Sequence, residues 1–286
     1  MSIIKEKANA KINLGLNILG KRNDGYHEVA MVMQSIGLSD TITIQEGKGI
    51  ELSTNMPELS CGPDNLAYKA VKLLAEKFNR EPNVHIDLEK HIFMAAGLAG
   101  GSSDAAAVLR GMNRFWDLKL STDELKTIAA ELGSDVPFCI EGGTALALGR
   151  GEVVAAIDEM PETIVIIAKP RGLEVSTAWV YNNYNEGRVI QVPKIYRIVE
   201  HVREGAHAIW PYFGNVLETV TIPRYPVLAS IKAKMVSAGA YYAMMSGSGP
   251  TVFAFADSLD IAQKVIDALA DFDVETAVTT TLERGQ

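Results

Sequence analysis

A glycine-rich loop followed directly by a helical pattern constrains the fold of this chain more than any other stretch. The run GLAGGSS at 97–103 has few bulky side chains, so its backbone can turn sharply and bring N–H groups close to an anion. The apolar residues of the next stretch, 104–116, recur at near-helical spacing. The pattern predicts a phosphate-binding loop that opens a helix, with Ser102 and Ser103 as N-caps or as contacts to a phosphate or its magnesium ion.

Two other phosphate motifs do not fit the chain. The dinucleotide fingerprint needs a third glycine, which follows neither Gly149-Arg150-Gly151 nor Gly247-Ser248-Gly249. The stretch GLNILGKR at 15–22 approaches a Walker loop, but Arg22 stands where a Ser or Thr would hold magnesium. Its apolar residues are instead typical of a strand interior.

Composition limits the partners of the chain. The 286 residues carry a net charge of -8, which argues against nucleic acid or anionic membranes as partners, so local cations must bind any anionic ligand. Cys61 and Cys139 form no C-x-x-C pattern, which suits a reducing compartment. No stretch reads as a signal peptide or a membrane span, and we expect a cytoplasmic protein.

The first strands place two polar side chains together. Apolar residues alternate with other residues from Ala10 to Leu19, so we expect one buried face and a second face that carries Lys11 and Asn13. The turn at 22–25 contains Asn, Asp and Gly and predicts an antiparallel return strand. Tyr26 and His27 open that strand, and a ligand site there competes with a plain surface position.

The rest of the first half alternates short strands and helices. Strands are predicted at 41–44, 50–53 and 84–88, and a helix at 65–78. Ser121 and Glu124 form a capping box, with Gly133 as a stop for that helix. Asp135 precedes a short turn containing Pro137, so its carboxylate is expected near a positive helix end, although a cap alone would explain it.

A change of composition near Met160 predicts domains at 1–159 and 160–286. In the second half we expect strands at 164–168, 240–244, 252–256 and 274–279. Helices are expected near 175–184, 193–204, 225–238 and 259–269. A second glycine cluster, SGSGPT at 246–251, joins two of the strands. This order predicts an α+β sandwich with antiparallel pairing.

Taken together, the motifs resemble the GHMP small-molecule kinases. The resemblance rests on AKINLGLNILGKRNDGYH (10–27), MAAGLAGGSSDAAA (94–107), GSDVPF (133–138), GRGE (149–152) and MSGSGPT (245–251). It implies a two-domain α+β GHMP kinase fold. The implied N-terminal nucleotide-binding domain is ribosomal protein S5 domain 2-like, and the C-terminal domain is a ferredoxin-like sandwich.

The resemblance also implies roles by position. Lys11 and Asp135 match the catalytic residues. The implied ATP-binding positions are Asn65, Lys90, Met94, Ala95, Ala96, Gly97, Leu98, Ala99, Gly100, Gly101, Ser102, Ser103 and Asp104. The implied substrate-binding positions are Asn13, Tyr26, His27, Thr177, Tyr181, Gly247, Ser248 and Gly249. No protein side chain is expected to ligate a metal. Many members have proline where this chain has Phe93, which bears on the entry angle of the loop.

The implied reaction is ATP-dependent phosphorylation, with Mg²⁺ bound to the ATP. Within the family, DGYH and GSDVPF favour the members whose alcohol substrate is 4-diphosphocytidyl-2-C-methyl-D-erythritol (CDP-ME), phosphorylated on its 2-hydroxyl in the non-mevalonate route to isoprenoids. Other GHMP kinases, acting on homoserine, galactose or mevalonate, stay open as alternatives. So does a catalytically silent nucleotide-binding regulator. A monomer or weak homodimer is expected.

Overall fold

The computed structural model describes residues 3–285, which form eleven strands and ten α-helices with three 3₁₀ turns. The strands are β1 (Ile4–Lys21), β2 (His27–Glu46), β3 (Ile50–Thr54), β4 (Val84–Glu89), β5 (Thr144–Leu148), β6 (Val153–Ala156), β7 (Ile164–Pro170), β8 (Gly214–Asn215), β9 (Tyr242–Met245), β10 (Val252–Ala256) and β11 (Val274–Thr280). The helices are α1 (Leu66–Phe78), α2 (Gly100–Phe115), α3 (Thr122–Ala129), α4 (Val136–Glu141), α5 (Thr177–Asn182), α6 (Ile195–His201), α7 (Ala206–Ile209), α8 (Glu218–Arg224), α9 (Val227–Ser237) and α10 (Leu259–Ala268).

The residues form two compact units that interleave along the sequence. The first unit comprises the residues up to Ala10, Leu38–Ile92 and Ala99–Glu141. The second comprises Lys11–Gly37, Phe93–Leu98 and the chain from Gly142 onward. The long strands β1 and β2 therefore each contribute one half to either unit. The sequential boundary between 159 and 160 stays a prediction.

The first unit packs four helices with a small sheet. Strand β4 lies between β3, to which it is parallel, and the second half of β2, to which it is antiparallel. Helix α2 packs against α1, α3 and α4. The core is built from the alanine-rich face of α2 and from aliphatic side chains of β2, β4 and α1. Small side chains on α2 let these helices approach closely, which fixes where the glycine loop begins its helix.

The second unit contains an antiparallel sheet and the other halves of the long strands. The sheet order is β11-β7-β10-β9, and α9 and α10 pack on it. In the same unit β8 pairs parallel with β1, while β5 pairs antiparallel with both β2 and β6. The antiparallel pairing of this sheet and the helices packed on it agree with the α+β prediction.

Most predicted elements are confirmed, with four corrections. The capping box of Ser121 and Glu124 is present, and Asn65 caps α1. Helix α3 ends at Ala129, four residues before the predicted stop at Gly133. The predicted helix at 193–204 is a shorter helix, α6, followed by a 3₁₀ turn. The strand at 10–19 is buried on both faces rather than one. Finally, α2 begins at Gly100, before the two serines that were predicted to cap it.

Candidate active site

Helix α2 begins inside the glycine loop, at Gly100, and not at the serines. Its N-cap is Ala99 in the left-handed region (φ 59°), and no side chain among the described residues caps it. The prediction that Ser102 or Ser103 caps the helix is therefore wrong; both lie in its first turn. The leading N–H groups of a helix lack intrahelical partners and favour an anion, and the start of this sixteen-residue helix has that property; phosphate binding there stays a prediction.

The loop before α2 turns through three left-handed residues, Ala95 (φ 49°), Gly97 (φ 73°) and Ala99. Glycine is needed at 97 for a second reason, because a Cβ there would lie 2.5 Å from the carbonyl oxygen of Ser246. The residues of this loop differ in how far they are exposed to solvent. Ala95 and Gly101 are exposed, Met94 is half-buried, and Ala96 and Leu98 are buried.

The two loop serines differ in their contacts. Ser103 is buried, and its hydroxyl donates to the carbonyl oxygen of Asn9 at 2.7 Å. Ser102 is half-buried in the same turn. Of the two hydroxyls, that of Ser103 thus has a protein partner that ties α2 to β1, whereas that of Ser102 suits a ligand.

Lys11 is buried in β1, with 3% of its surface exposed. Its Nζ donates to Asn13 Oδ1 at 2.8 Å and to the Gly97 carbonyl at 3.0 Å, and its backbone N–H donates to Leu98. The period of two along β1 brings Lys11 and Asn13 to one face, as predicted. A buried ammonium therefore lies directly against the turn of the glycine loop, where negative charge on a ligand would be stabilised.

Lys90 lies in the first unit between two carboxylates. Its Nζ donates to Asp40 and, at 2.8 Å, to Asp104. Its backbone N–H and carbonyl pair with the side chain of Asn55. The ammonium, the backbone N–H and the carbonyl of Lys90 thus all have protein partners, and its predicted role in ATP binding stays a prediction.

In this buried cluster of Asp40, Lys90 and Asp104, the pKa values of Lys90 and of Asp104 are both raised. Burial alone lowers the pKa of Lys90, but the two carboxylates together raise it above its ordinary value. Burial raises the pKa of Asp104 to about 7, against the attraction of Lys90. Asp104 Oδ1 has no hydrogen-bond partner among the described residues. Asp104 therefore titrates near neutral pH rather than at its ordinary, acidic pKa.

Asn65 and Asp135 lie at helix starts of the first unit. Asn65 Oδ1 accepts from the N–H of Ala67, and its Nδ2 donates to the Ser60 carbonyl. Asp135 directly precedes α4 and is half-buried. Both positions agree with the helix-end placement that the sequence predicts. Their roles toward ligands stay predictions.

An aromatic cluster forms where β2 begins. The His27 ring lies 5.5 Å from the Tyr181 ring and 6.4 Å from that of Tyr184, centroid to centroid. Burial, and then the charge of Lys21, lower the pKa of His27, so its imidazole is neutral at pH 7. Tyr184 was not predicted. It follows α5 by two residues, where no motif pointed to it.

Two further predicted substrate positions flank this cluster. Tyr26 is half exposed, and the guanidinium of Arg150 lies 5.2 Å from its ring centre. Thr177 is exposed at the start of α5, one turn from Tyr181. The second unit therefore brings together His27, Tyr181 and Tyr184, with an aromatic face at Tyr26 open to solvent.

The second glycine cluster is a buried loop that joins β9 and β10. Residues 245–251 are all buried, and the Ser246 hydroxyl donates to the Gly97 carbonyl at 3.0 Å. A Cβ at Gly247 would lie 3.3 Å from Lys11 Nζ. The loop of Gly247, Ser248 and Gly249 thus packs beside Lys11. Its predicted substrate contacts stay predictions.

Models of one family match both halves of the chain. That of the GHMP kinases N terminal domain matches residues 65–143, which contain the glycine loop, and that of the GHMP kinases C terminal domain matches residues 186–274. The chain belongs to the GHMP kinase family. The resemblance, the two-domain α+β fold and the kinase class that the motifs predict are confirmed.

Similar proteins share one name. Proteins of Bacillus cereus (strain AH187) and Bacillus anthracis (strain CDC 684 / NRRL 3495) are each 48% identical over 93% of this chain and 92% of their own length, and both are named 4-diphosphocytidyl-2-C-methyl-D-erythritol kinase. A crystal structure of 4-(cytidine 5'-diphospho)-2C-methyl-D-erythritol kinase superposes with a TM-score of 0.84 at 32% identity, covering 97% of this chain and 99% of that one. A homoserine kinase from Cytophaga hutchinsonii, 18% identical over 99% of this chain and 96% of its own, has the same fold (TM-score 0.72).

Two kinds of feature are absent from residues 3–285, namely a metal-binding cluster and a helix that could span a membrane. Within this range no three or more His, Cys, Asp or Glu side chains are grouped so as to hold a metal ion. None of the described helices combines the length and apolar character needed to cross a membrane.

Proposed function

We propose that the chain transfers the γ-phosphoryl group of ATP to the 2-hydroxyl of CDP-ME, in the non-mevalonate route to isopentenyl diphosphate. The observation that carries this is the 48% identity over 93% of the chain to proteins named for that reaction. The neutral aromatic cluster at His27 supports a substrate with a nucleobase. No observation favours homoserine, galactose or mevalonate over it.

For ATP, the first turn of α2 supplies the phosphate site. Its leading N–H groups and its positive helix end favour phosphate oxygens. Mg²⁺ would be held mainly by the nucleotide, and the hydroxyl of Ser102, in the first turn of α2, is the oxygen that the loop would offer it. When bound, the ion would neutralise charge on the transferred phosphoryl group.

For transfer, we assign Lys11 to charge stabilisation and Asp135 to the acceptor hydroxyl. Phosphoryl transfer asks chiefly for positioning and for stabilisation of charge, because its transition state is loose. The Lys11 ammonium, held against Gly97, would offset charge at the acceptor oxygen. Asp135 would orient the 2-hydroxyl and accept its proton late in the transfer.

For the alcohol, we assign recognition of cytosine to Tyr26, His27 and the rings beside them. A neutral imidazole has one donor and one acceptor, which matches the polar edge of an uncharged base. The exposed Tyr26 face would stack on the base. Thr177, Gly247, Ser248 and Gly249 are proposed as further substrate contacts, and Asn13 as a contact beside Lys11.

The proposal extends to the setting of the enzyme. We propose a cytoplasmic monomer or weak homodimer without nucleic-acid or membrane partners. We also keep the domain assignment of 1–159 and 160–286. Limited proteolysis would test the latter, with stable fragments ending near Met160 as the expected result.

The test is release of ADP by the purified protein with ATP, Mg²⁺ and one alcohol at a time. We expect release with CDP-ME and not with homoserine, galactose or mevalonate. Lys11→Ala and Asp135→Asn should each lower kcat by about 10²-fold or more with the fold retained by circular dichroism. Turnover of another alcohol would show a different GHMP kinase, and ATP binding without any turnover would show a regulator.

A further inference from the structure

Asn215 is a buried amide with every hydrogen of its side chain engaged. It lies in β8, beside Leu16 of β1, and 5% of its surface is exposed. Its Nδ2 donates to the carbonyl oxygens of Met245 (2.9 Å) and Gly247 (2.7 Å), and its Oδ1 accepts from the N–H of Leu217 at 3.0 Å. One side chain thus holds two backbone carbonyl groups of the second glycine loop, those of Met245 and Gly247.

Two neighbours of Asn215 hold the same loop. Glu218 Oε1 accepts from the N–H of Met245 at 2.8 Å, and the Lys232 ammonium donates to both oxygens of that carboxylate. The Thr221 hydroxyl donates to the Ser248 carbonyl at 3.1 Å. The segment from β8 into α8 therefore binds the loop backbone at three consecutive places.

The far side of the loop contacts the phosphate loop. The Ser246 hydroxyl and the Lys11 ammonium both donate to one acceptor, the Gly97 carbonyl, each at 3.0 Å. The backbone of Ser246 comes so close to Gly97 that a Cβ would not fit between them. A shift of the second loop by a few tenths of an ångström would therefore move the Gly97 carbonyl and, with it, the position of Lys11.

We propose that Asn215 is a positioning residue for phosphoryl transfer: it holds the loop that presents Ser246 to Gly97, and so sets the place of the Lys11 ammonium at the phosphate loop. The inference rests on the proposed function. Asn215 touches neither the loop of residues 94–98 nor Lys11 in the contacts above, and acts through Ser246. A substitution of Asn215 should therefore change turnover and ATP binding in addition to the stability of the fold.

The test uses an isosteric change. Asn215→Asp keeps an oxygen for Leu217 but removes the donors to Met245 and Gly247, and turns a carboxylate oxygen toward carbonyls. The matched control is Asn113→Asp. Asn113 also bridges a backbone N–H and a carbonyl, both of Leu120, at the far end of α2.

We expect Asn215→Asp to lower kcat by about tenfold or more and to raise the Kd for ATP, since misplacement of a catalytic group by a fraction of an ångström is costly. Asn113→Asp should match it in lowered Tm while its kcat stays within about twofold of the parent. Equal kcat losses in the two variants, or a parent-like kcat in Asn215→Asp, would overturn the proposal.

A double-variant cycle separates action through Ser246 from general damage. Ser246→Ala removes the hydroxyl that reaches Gly97, and the combined variant should turn over no more slowly than the slower of the two single variants. Multiplying losses would contradict the proposed route.

If the parent protein turns over none of the alcohols, equilibrium dialysis with ATP replaces kcat in the same cycle. Weaker ATP binding in Asn215→Asp than in Asn113→Asp would then support the positioning role while the proposed reaction fails. Equal binding would overturn the positioning role as well.

Discussion

The two ends of the phosphate loop are held by different chemistry. At the α2 end, the Lys90 ammonium lies between Asp40 and Asp104, so buried charges hold the helix start. At the Gly97 end, one backbone carbonyl accepts from both the Lys11 ammonium and the Ser246 hydroxyl, and the amide of Asn215 holds the loop that carries Ser246. A buried cluster that contains carboxylates changes with pH, whereas hydrogen bonds from an amide and a hydroxyl to backbone carbonyls contain no group that titrates near pH 7. We therefore expect substitutions in the Lys90 cluster to change mainly the stability of the protein. Substitutions at Asn215 and Ser246 should change mainly the position of Lys11 and hence turnover.

Removing the cation of the ionic cluster is expected to have the largest effect. Lys90→Met leaves two buried carboxylates together without a counter-charge, which costs about 3–5 kcal/mol in the free energy of unfolding. Urea denaturation measures this cost. Lys72→Met, at an exposed pair with Glu76, is the control and should change stability by less than about 1 kcal/mol.

A double variant tests whether the buried negative charge causes the loss of stability in Lys90→Met. Adding Asp104→Asn to Lys90→Met should recover part of the lost stability, because one buried charge is removed. If Lys90→Met is as stable as the control, the ionic cluster does not hold the helix start and the comparison fails.

The pH dependence of the ionic cluster gives the next effect. Asp104 has a pKa of about 7 in the folded protein and an ordinary value of 3.8, so between them the folded state binds more protons than the unfolded state. Stability should therefore fall as pH rises through this window, by up to about 1.4 kcal/mol per pH unit. Asp104→Asn should remove that part of the slope in urea denaturation between about pH 5 and about pH 8.

The control for this slope is Asp117→Asn, at an exposed pair with Lys119, which should keep the parent dependence on pH. A parent protein whose stability does not fall across the window would show that Asp104 remains ionised, as a symmetric ionic cluster would require.

The smallest effect concerns His27, which lies in the aromatic cluster and outside both ends of the phosphate loop. Its folded pKa is depressed, so the imidazole is neutral at pH 7 and becomes charged only as the pH falls below its lowered value. We expect the KM for CDP-ME to rise on acidification, by about tenfold per pH unit at most, while the KM for ATP changes little. His27→Gln should flatten this profile, and His91→Gln, an exposed histidine of the first unit, should not. A profile that survives in His27→Gln would assign it to another group.

Local sequence patterns predicted most of the helices and strands, and they predicted which side chains of β1 lie together in the candidate site. The period of two along β1 was enough to pair Lys11 with Asn13, and the capping box of Ser121 is a local signal that the structure confirms. The start of α2 was misplaced because Ala99, not a serine, takes the left-handed cap position. Propensity favours hydroxyl caps, but the first helical residue is Gly100, so both serines lie inside the first turn.

Contacts between distant segments could not be predicted. Asn215 reaches carbonyls thirty and thirty-two residues further along the chain, and Asp40 reaches Lys90 fifty residues away, so neither left a periodic or local signal. Tyr184 was missed for the same reason, since its partner His27 belongs to the other end of the sequence. Burial of both faces of β1 likewise depends on segments that pack on it from elsewhere in the chain.

The most direct test of the central claim is ³¹P NMR of the product formed from CDP-ME, ATP and Mg²⁺. The account predicts a new phosphomonoester signal on the 2-oxygen, equal in amount to the ADP formed, with the cytidine diphosphate unchanged. A phosphate on another oxygen, or ADP formed without a new phosphomonoester, would contradict it.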